Sequence, residues 1–173
     1  MDIKATLNNL WIPYTSNYAG TLLPGIREYT VTPGEKTTTI SGKGKAGLKQ
    51  EENYYFFYLP VCYKGITGKS YAYYNTSRSK NLYLPASVDE NYSYDIQLPE
   101  NLTLCTPIQE KKIDNPIGSF KITLTSEGSS LHIELALQIK KQLITPAEYP
   151  AFRSLITEWT DRTRKPILFK TVQ

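Results

Sequence analysis

The chain has 173 residues, 40% of them hydrophobic, with a formal net charge of +4 and two cysteines. This length can bury one core without a disulfide or a metal, and lysine and arginine alternate with acidic residues instead of forming the basic stripe of a nucleic-acid module. We therefore expect no nucleic-acid partner, and because no run of about 18 apolar residues occurs, we expect no membrane span.

Short strands separated by turns are predicted in the first half, since tyrosine, threonine and isoleucine favour strands and proline interrupts them. The predicted strands are residues 3–10, 27–31, 37–41, 54–63 and 71–74. The run YYFFYLPVCY at 54–63 has no polar face, which is typical of a strand covered on both sides or at the centre of a sandwich. Its proline has to lie at a bulge, a sheet edge or a strand end.

Two glycine-containing strings match nucleotide-binding motifs only as letters. Residues 42–47 read G-x-G-x-x-G, but residues 48–53 are too few and too polar for the helix whose N-terminus receives a pyrophosphate. We predict a glycine-rich hairpin there. Residues 68–70 (GKS) end like a phosphate loop, yet Tyr63 takes the place of its first glycine, so we predict a turn with an exposed lysine and no cofactor.

Tyrosines concentrate between the clearest strands, in the middle of the chain. Tyr71, Tyr73, Tyr74 and Tyr83 lie near Arg78 in the sequence. Exposed tyrosine beside arginine can stack on a sugar ring or anchor a protein partner. The alternative is that these rings serve the core while their hydroxyls reach water. These five residues are the candidate binding site.

The second half has clearer periodicity. Residues 92–98 predict a strand, and residues 120–124 and 131–140 alternate apolar and polar side chains on either side of a turn, which predicts an antiparallel hairpin. Residues 166–171 predict a last short strand that could pin the C-terminus to a sheet.

One helix is predicted before that strand. Thr145, Pro146 and Glu148 have the pattern of a capping box, and Pro150 indicates a kinked or restarted first turn. The helix should therefore begin at about residue 146 or 150 and end near Arg162. Four large side chains recur at helical spacing and should pack on the sheet: Tyr149, Phe152, Ile156 and Trp159.

These elements predict a mainly β fold, an antiparallel immunoglobulin-like β-sandwich with one C-terminal α-helix and a short final strand. We expect one domain over residues 1–173, because no internal repeat and no low-complexity linker marks a boundary.

Few residues could carry catalysis by a thiol. Cys62, Cys105 and His132 are the whole supply of thiols and imidazoles. Cys62 lies in an apolar strand, where a thiol is inert, and His132 falls on the polar face of its strand beside Glu134. We therefore expect free thiols with structural roles and no catalytic residue.

Carboxylates and metal ligands are equally sparse. The acidic pairs at 51–52 and 89–90 consist of adjacent residues, which point to opposite faces of a strand, so we predict solvated turn charges. Two cysteines and one histidine at wide spacing are too few for zinc. No metal site is expected.

Several stretches together resemble a known family. They are ENYSYDIQLP, NLTLCTP, DNPIGSF with the hairpin after it, the helix start YPAF, the closing KPILFK, and TTTISGKGKAGLKQEENYYFFYLP in the first half. The chain is similar over nearly its whole length to the C-terminal domain, of the domain-of-unknown-function 3858 type, of bacterial transglutaminase-like cell-envelope proteins of the Bacteroides kind. The resemblance implies a periplasmic or envelope location. It also implies that the chemistry lies in a preceding core, whose Cys, His and Asp have no matching positions here.

On that resemblance the chain is expected to be a non-catalytic accessory or interaction domain. It would act beside a transglutaminase-like or papain-like module, with that core or another envelope protein as its partner. The alternative is a glycan-binding module that uses the tyrosine surface. Because residues 1–4 lack the pattern of a secretion signal, the chain is expected to be an excised domain or a stand-alone relative.

Overall fold

The structure is a computed structural model that describes residues 1–8, 26, 28–34, 37–45, 47–62, 66, 77–107 and 109–171. Strands dominate these residues, and all of their pairings are antiparallel. A helix and a final strand end this part of the chain. The predicted mainly β class, with its C-terminal helix and last strand, is confirmed, while the immunoglobulin-like arrangement and the single-domain extent stay predictions. The strand predicted over residues 71–74 lies outside the described residues.

The elements follow in chain order. They are β1 (Asp2–Asn8), β2 (Glu28–Pro33), β3 (Thr37–Lys43), β4 (Lys49–Glu51), β5 (Tyr54–Phe57), β6 (Leu82–Tyr83), β7 (Val88–Gln97), β8 (Leu102–Leu104), β9 (Gln109–Asn115), β10 (Gly118–Glu127), β11 (Ser130–Ile139), β12 (Leu143–Ile144), α1 (Tyr149–Arg164) and β13 (Ile167–Thr171). The large sheet has seven strands in the order β2-β3-β1-β7-β11-β10-β9, and the small sheet has four in the order β4-β5-β13-β8. Strands β12 and β6 form a two-stranded ribbon.

The large sheet has one apolar face, because apolar and polar residues alternate along its strands. In β11, Ile133 and Leu135 are buried, whereas His132 and Glu134 point to the opposite side. Neighbouring strands keep the same alternation in register, so that Ile133 lies opposite Tyr94 of β7. We call the side that carries His132 and Glu134 the polar face.

The apolar face is covered by α1 and by the small sheet. The Trp159 ring of α1 lies 5.9 Å from the Tyr92 ring of β7, centroid to centroid. The Tyr94 hydroxyl donates a hydrogen bond of 3.0 Å to the carbonyl of Pro60, just after β5. Phe169 of β13 is fully buried between the layers, and the buried side chains form one core cluster.

The strand predicted over residues 54–63 is shorter and less buried than expected. It ends at Phe57, and Pro60 lies beyond the strand end, where its missing N–H breaks no ladder. Tyr54 and Tyr58 are exposed, so the prediction of a strand covered on both sides is wrong. The reason is that β5 belongs to the small sheet, and only the inner face of that sheet packs on the core.

The glycine-rich string at residues 42–47 joins the two sheets. Strand β3 pairs with β1 and β2 in the large sheet, whereas β4 pairs with β5 in the small sheet. The predicted hairpin is therefore wrong, because β1 and β2 already occupy both edges of β3 and leave no edge for β4. Near the end of β3, the Gly44 N–H donates to the Met1 carbonyl at 3.0 Å.

The hairpin of β10 and β11 is confirmed. Its turn contains Gly128 with a φ of 56°, a backbone conformation that glycine adopts without strain. At the other end of β10, Gly118 lies against Gln138 of β11. A Cβ at Gly118 would stand 1.9 Å from the Gln138 carbonyl oxygen, so only glycine fits there.

The turn before α1 is closed by Thr145 and Glu148. The Thr145 N–H and hydroxyl donate to the Glu148 carboxylate at 3.1 and 3.0 Å, and the Glu148 N–H donates to the Thr145 hydroxyl oxygen at 3.4 Å. These bonds have the reciprocal pattern of a capping box, but they close a turn ahead of the helix, whose N-cap is Glu148 and has no side-chain cap hydrogen bond. A hydrogen bond from Lys141, followed by those from Thr145, lowers the pKa of Glu148 to about 2. The helix then begins at Tyr149, with Pro150 in the first turn where a missing N–H is tolerated.

The predicted packing face of α1 is confirmed. Tyr149, Phe152, Ile156 and Trp159 are at most 3% exposed. Leu155, between them on the same side of the helix, is also fully buried. The helix therefore covers the sheet with large side chains along most of its length.

Replacing Phe152 with alanine should lower the free energy of unfolding by about 3 to 5 kcal/mol, because the ring is fully buried and its removal leaves a cavity. Chemical denaturation measures the loss. The control is Thr157→Ala on the exposed side of the same helix, which should change stability by less than about 0.5 kcal/mol. A loss below about 1 kcal/mol for Phe152→Ala would show that the helix is peripheral.

Candidate functional site

The predicted tyrosine site is only partly described. Tyr71, Tyr73 and Tyr74 lie outside the described residues, so their part of the site stays a prediction. Tyr83 is 68% exposed in the ribbon, where it lies opposite Leu143, itself 51% exposed. Arg78 contacts a different neighbour, the ring of Tyr149 at the start of α1.

Arg78 lines a groove of about 440 Å³ beside the first turns of α1. Its guanidinium carbon lies 5.9 Å from the centre of the Tyr149 ring, and Arg153 lines the same groove. Burial raises the pKa of the Tyr149 hydroxyl, and the two guanidinium groups oppose that rise. The groove therefore combines two guanidinium groups and the Glu158 carboxylate with apolar surface from Ile113 and Pro150.

The possible catalytic groups are separated by the large sheet. The backbone N–H of Cys62 donates to the Tyr92 hydroxyl at 3.1 Å on the apolar side. Cys105 follows β8 in the small sheet, also on that side, whereas His132 stands on the polar face. Packed sheets are about 10 Å apart, so neither thiol reaches the imidazole. Cys62 and Cys105 are not joined by a disulfide bond.

His132 is held by two carboxylates on the polar face. Its Nδ1 lies 2.7 Å from Asp95 Oδ1, and its Nε2 lies 3.7 Å from Glu134 Oε1. The expected Glu134 contact is present, but Asp95 on the neighbouring strand is the closer partner. The hydrogen bond to Asp95, with smaller contributions from Glu134, raises the pKa of His132 above its ordinary value of 6.5. The three side chains form an ion-pair cluster on the polar face.

The raised pKa of His132 predicts a pH dependence of stability. Because protonation is favoured in the folded state, this contribution is fully present below about pH 6.5, the ordinary value, and is lost as pH rises through the raised folded-state pKa. Unfolding measured at several pH values above 6.5 should show this loss in the parent chain but not in His132→Gln. An NMR titration should give a lower His132 pKa in Asp95→Asn. Identical pH profiles for the parent and His132→Gln would contradict this assignment.

Glu90 is a buried carboxylate that the sequence interpretation missed. The adjacent residues Asp89 and Glu90 do point to opposite faces, as predicted, but they belong to β7 rather than to a turn. Glu90 is 3% exposed, so its assignment as a solvated charge is wrong. The signal was present in the alternation of Glu90 with Tyr92, Tyr94 and Ile96, which places the carboxylate on the apolar face.

The Glu90 carboxylate anchors the segment that follows β5. One oxygen accepts the Ile66 N–H at 2.5 Å, and the other accepts the Tyr92 hydroxyl at 3.1 Å. The Tyr92 oxygen in turn accepts the Cys62 N–H at 3.1 Å. Burial and the nearby Glu90 raise the pKa of Tyr92 well above its ordinary value, so the phenol stays protonated and can donate.

Replacing Tyr92 with phenylalanine should lower the free energy of unfolding by about 1 to 3 kcal/mol. The substitution removes two buried hydrogen bonds, the one that the Tyr92 hydroxyl donates to Glu90 and the one that it accepts from the Cys62 N–H. Urea denaturation measures the difference. Tyr54→Phe, which removes a hydroxyl from an exposed ring, is the matched control and should leave stability within about 0.5 kcal/mol. Equal stabilities of the two variants would show that the network contributes little.

The outer side of the small sheet carries a second set of aromatic residues. We call Tyr54, Phe56, Tyr58, Leu168 and Cys105 the aromatic face. Tyr54 and Tyr58 are 44% and 45% exposed, and the other three are half-buried. The alternate residues of the same run, including Phe57 and Leu59, are buried on the inner side. The sequence interpretation missed this surface because both sets are apolar, although period-2 alternation separates them.

Pairing across the small sheet places Tyr54, Phe56 and Leu168 on the same side. Phe56 lies opposite both Lys49 and Leu168, and residues directly opposite in an antiparallel sheet project from the same face. The Cys105 N–H donates to the Leu168 carbonyl at 2.7 Å, which continues the pairing of β13 one residue beyond the end of β8. The ammonium of Lys49 lies 5.6 Å from the centre of the Tyr58 ring.

Metal and membrane sites find little support in the described part of the chain. Within it, no group of three or more His, Cys, Asp or Glu side chains could hold a metal ion. No helix there is long and apolar enough to cross a membrane.

Comparison with known proteins connects the chain to a domain family and to a solved structure. The family profile described as Domain of Unknown Function with solved-structure structure (DUF3858) matches residues 53–169. A crystal structure from Parabacteroides distasonis, described as a "putative protease", is 32% identical, with a TM-score of 0.63. The match covers 69% of this chain and 24% of that chain, so this chain spans about a quarter of that protein's length. None of the curated proteins matches.

Proposed function

The chain belongs to the DUF3858 family, and we propose that it is a non-catalytic accessory domain of a larger peptidase-type protein or of a complex with one. The observation that carries this proposal is the match to about a quarter of a protein described as a "putative protease". A domain-sized match that leaves most of the other chain uncovered is typical of one module in a multidomain protein.

The chemistry of the described residues supports a role other than catalysis. Thiol catalysis needs an imidazole within hydrogen-bond reach of the sulfur. His132 instead bonds to Asp95 on the polar face, with the large sheet between it and both cysteines. Any peptidase chemistry in a parent protein would then reside in another module.

The finer part of the proposal follows from the resemblance to envelope proteins. It assigns the partner module to the transglutaminase-like or papain-like kind, and the location to the periplasm or cell envelope. The partner would be that module within the same polypeptide or another envelope protein. The well-covered core and the helix packed on it would give such a partner a firm platform.

A glycan-binding module is the second candidate. The observation in its favour is Tyr83, whose ring is the most exposed large hydrophobic side chain in the described residues. Sugar rings stack on such side chains. Binding of cell-wall glycan fragments that disappears in Tyr83→Ala without a change in stability would favour this candidate.

The purified 173-residue chain should neither hydrolyse peptides nor transfer acyl groups, because it lacks an assembled thiol and imidazole pair in its described part. Fluorogenic peptide and amine-incorporation assays measure both activities. Turnover that disappears in both Cys105→Ala and His132→Ala would overturn the proposal.

In the native host, an antibody against the chain should detect it in the envelope fraction, in a polypeptide or complex larger than 19.7 kDa. A free cytosolic species of that mass would contradict the envelope assignment.

A further inference from the structure

We propose that the aromatic face is the surface through which this domain docks onto the peptidase-type module. This inference deepens the proposed function and rests on it. The occupant is the adjoining protein module, which would cover Tyr54, Phe56 and Tyr58 and exclude water from them.

The aromatic face has the geometry of a continuous patch. Tyr54 and Phe56 alternate along β5, so they are about 6.6 Å apart, twice the rise of roughly 3.3 Å per residue, and Tyr58 follows directly after the strand end. Leu168 lies directly opposite Phe56 on β13, and Cys105 extends the same row toward β8. The side chains on the inner side of these strands pack on the core and are not available to a partner.

The composition of this patch matches an interface rather than an ordinary surface. Aromatic residues are enriched at protein interfaces. The centre of such an interface is apolar, and its rim is polar or charged. Here the half-buried Phe56 is central, while Lys49 and Glu51 of β4 and Lys170 of β13 surround it. Contiguous exposed apolar surface of this kind marks interaction sites.

The position of the family segment indicates which partner covers the patch. The segment matched to DUF3858 runs from residue 53 to residue 169. Its two ends enter and leave through β5 and β13, which are paired neighbours in the small sheet, with Phe57 opposite Ile167 and Tyr55 opposite Phe169. At the N-terminal end the chain continues directly into β4 of the same sheet, so a module joined after residue 169 emerges from β13 beside the small sheet, next to the aromatic face. Most of the Parabacteroides distasonis chain lies outside its match to this protein.

The chemistry of the patch favours a protein over a glycan. The Lys49 ammonium lies over the Tyr58 ring, on a surface that a sugar would use for stacking. Leu168 and Cys105 complete the patch with non-aromatic apolar groups, which bury well against protein side chains but offer no hydrogen bonds to sugar hydroxyls.

The first test is a superposition of this chain on the intact Parabacteroides distasonis structure. Side chains aligned with Tyr54, Phe56 and Tyr58 should lose at least half of their exposed area to the rest of that chain. Positions aligned with Asp95 and His132 on the polar face are the control and should stay open. If the rest of that chain covers the polar face instead, this inference is wrong while the accessory role stands. If it touches neither, docking by this domain is overturned.

The second test uses Cys105 as a reporter, since it lies on the aromatic face and Cys62 is buried. In the 173-residue chain, a maleimide should label Cys105 without denaturant and both thiols with it. A hybrid, in which this chain replaces the matched quarter of the Parabacteroides distasonis protein, should show at least about tenfold slower labelling of Cys105. Rapid labelling of Cys62 would reveal a misfolded hybrid. In that case the superposition alone decides whether the aromatic face is the docking surface.

Substitutions separate docking from stability. Tyr54→Ser with Tyr58→Ser should restore fast labelling of Cys105 in the hybrid, and should shift the unfolding midpoint of the chain alone by less than about 2 °C because both rings are exposed. Tyr83→Ser is the matched control and should leave Cys105 protected. Unchanged protection in the double variant, or protection of the chain alone by self-association or by cell-wall glycan fragments, would overturn the proposal.

Discussion

The apolar face of the large sheet has to be removed from water, and the rest of the structure depends on that requirement. Burying one large apolar side chain contributes about 1.5 to 3 kcal/mol, and the seven strands carry many of them on the same side. Helix α1 covers part of this face through Phe152 and Trp159, and the small sheet covers another part through Phe57 and Phe169. Each covering element therefore has an inner side that packs on the core and an outer side whose residues the core does not constrain.

Local periodicity was enough to predict the elements whose partners lie nearby in the chain. The hairpin of β10 and β11 and the buried side of α1 follow from alternation and helical spacing together with local turn residues, such as Gly128 and Thr145. The failures involve distant partners. Residues 42–47 could not be assigned to a crossover from sequence, because that assignment depends on β1 and β2 occupying both edges of β3.

The candidate site shows the same limit. Alternation along β5 and β7 fixes which residues share a side, but it does not say which side another layer covers. For β7 the tyrosines mark the buried side, so the burial of Glu90 was within reach of the sequence. For β5 both sides are apolar, and only the position of the small sheet exposes Tyr54 and Tyr58 while burying Phe57. Where both sides of a strand are apolar, the exposure of a tyrosine is therefore a tertiary property that alternation alone does not determine.

The two outer surfaces also differ in what it costs to cover them. On the polar face, His132 is already paired with Asp95 and lies near Glu134, so a partner placed there would have to desolvate charges that already interact with one another. On the aromatic face, the central groups have no comparable hydration to lose, and their burial is favourable by the same hydrophobic effect that holds the core together. Lys49 and Lys170 at its edge can remain in water while their stems cover apolar surface. Association with another protein therefore costs least where the small sheet faces outward, on the side of the molecule where the ends of the family segment meet.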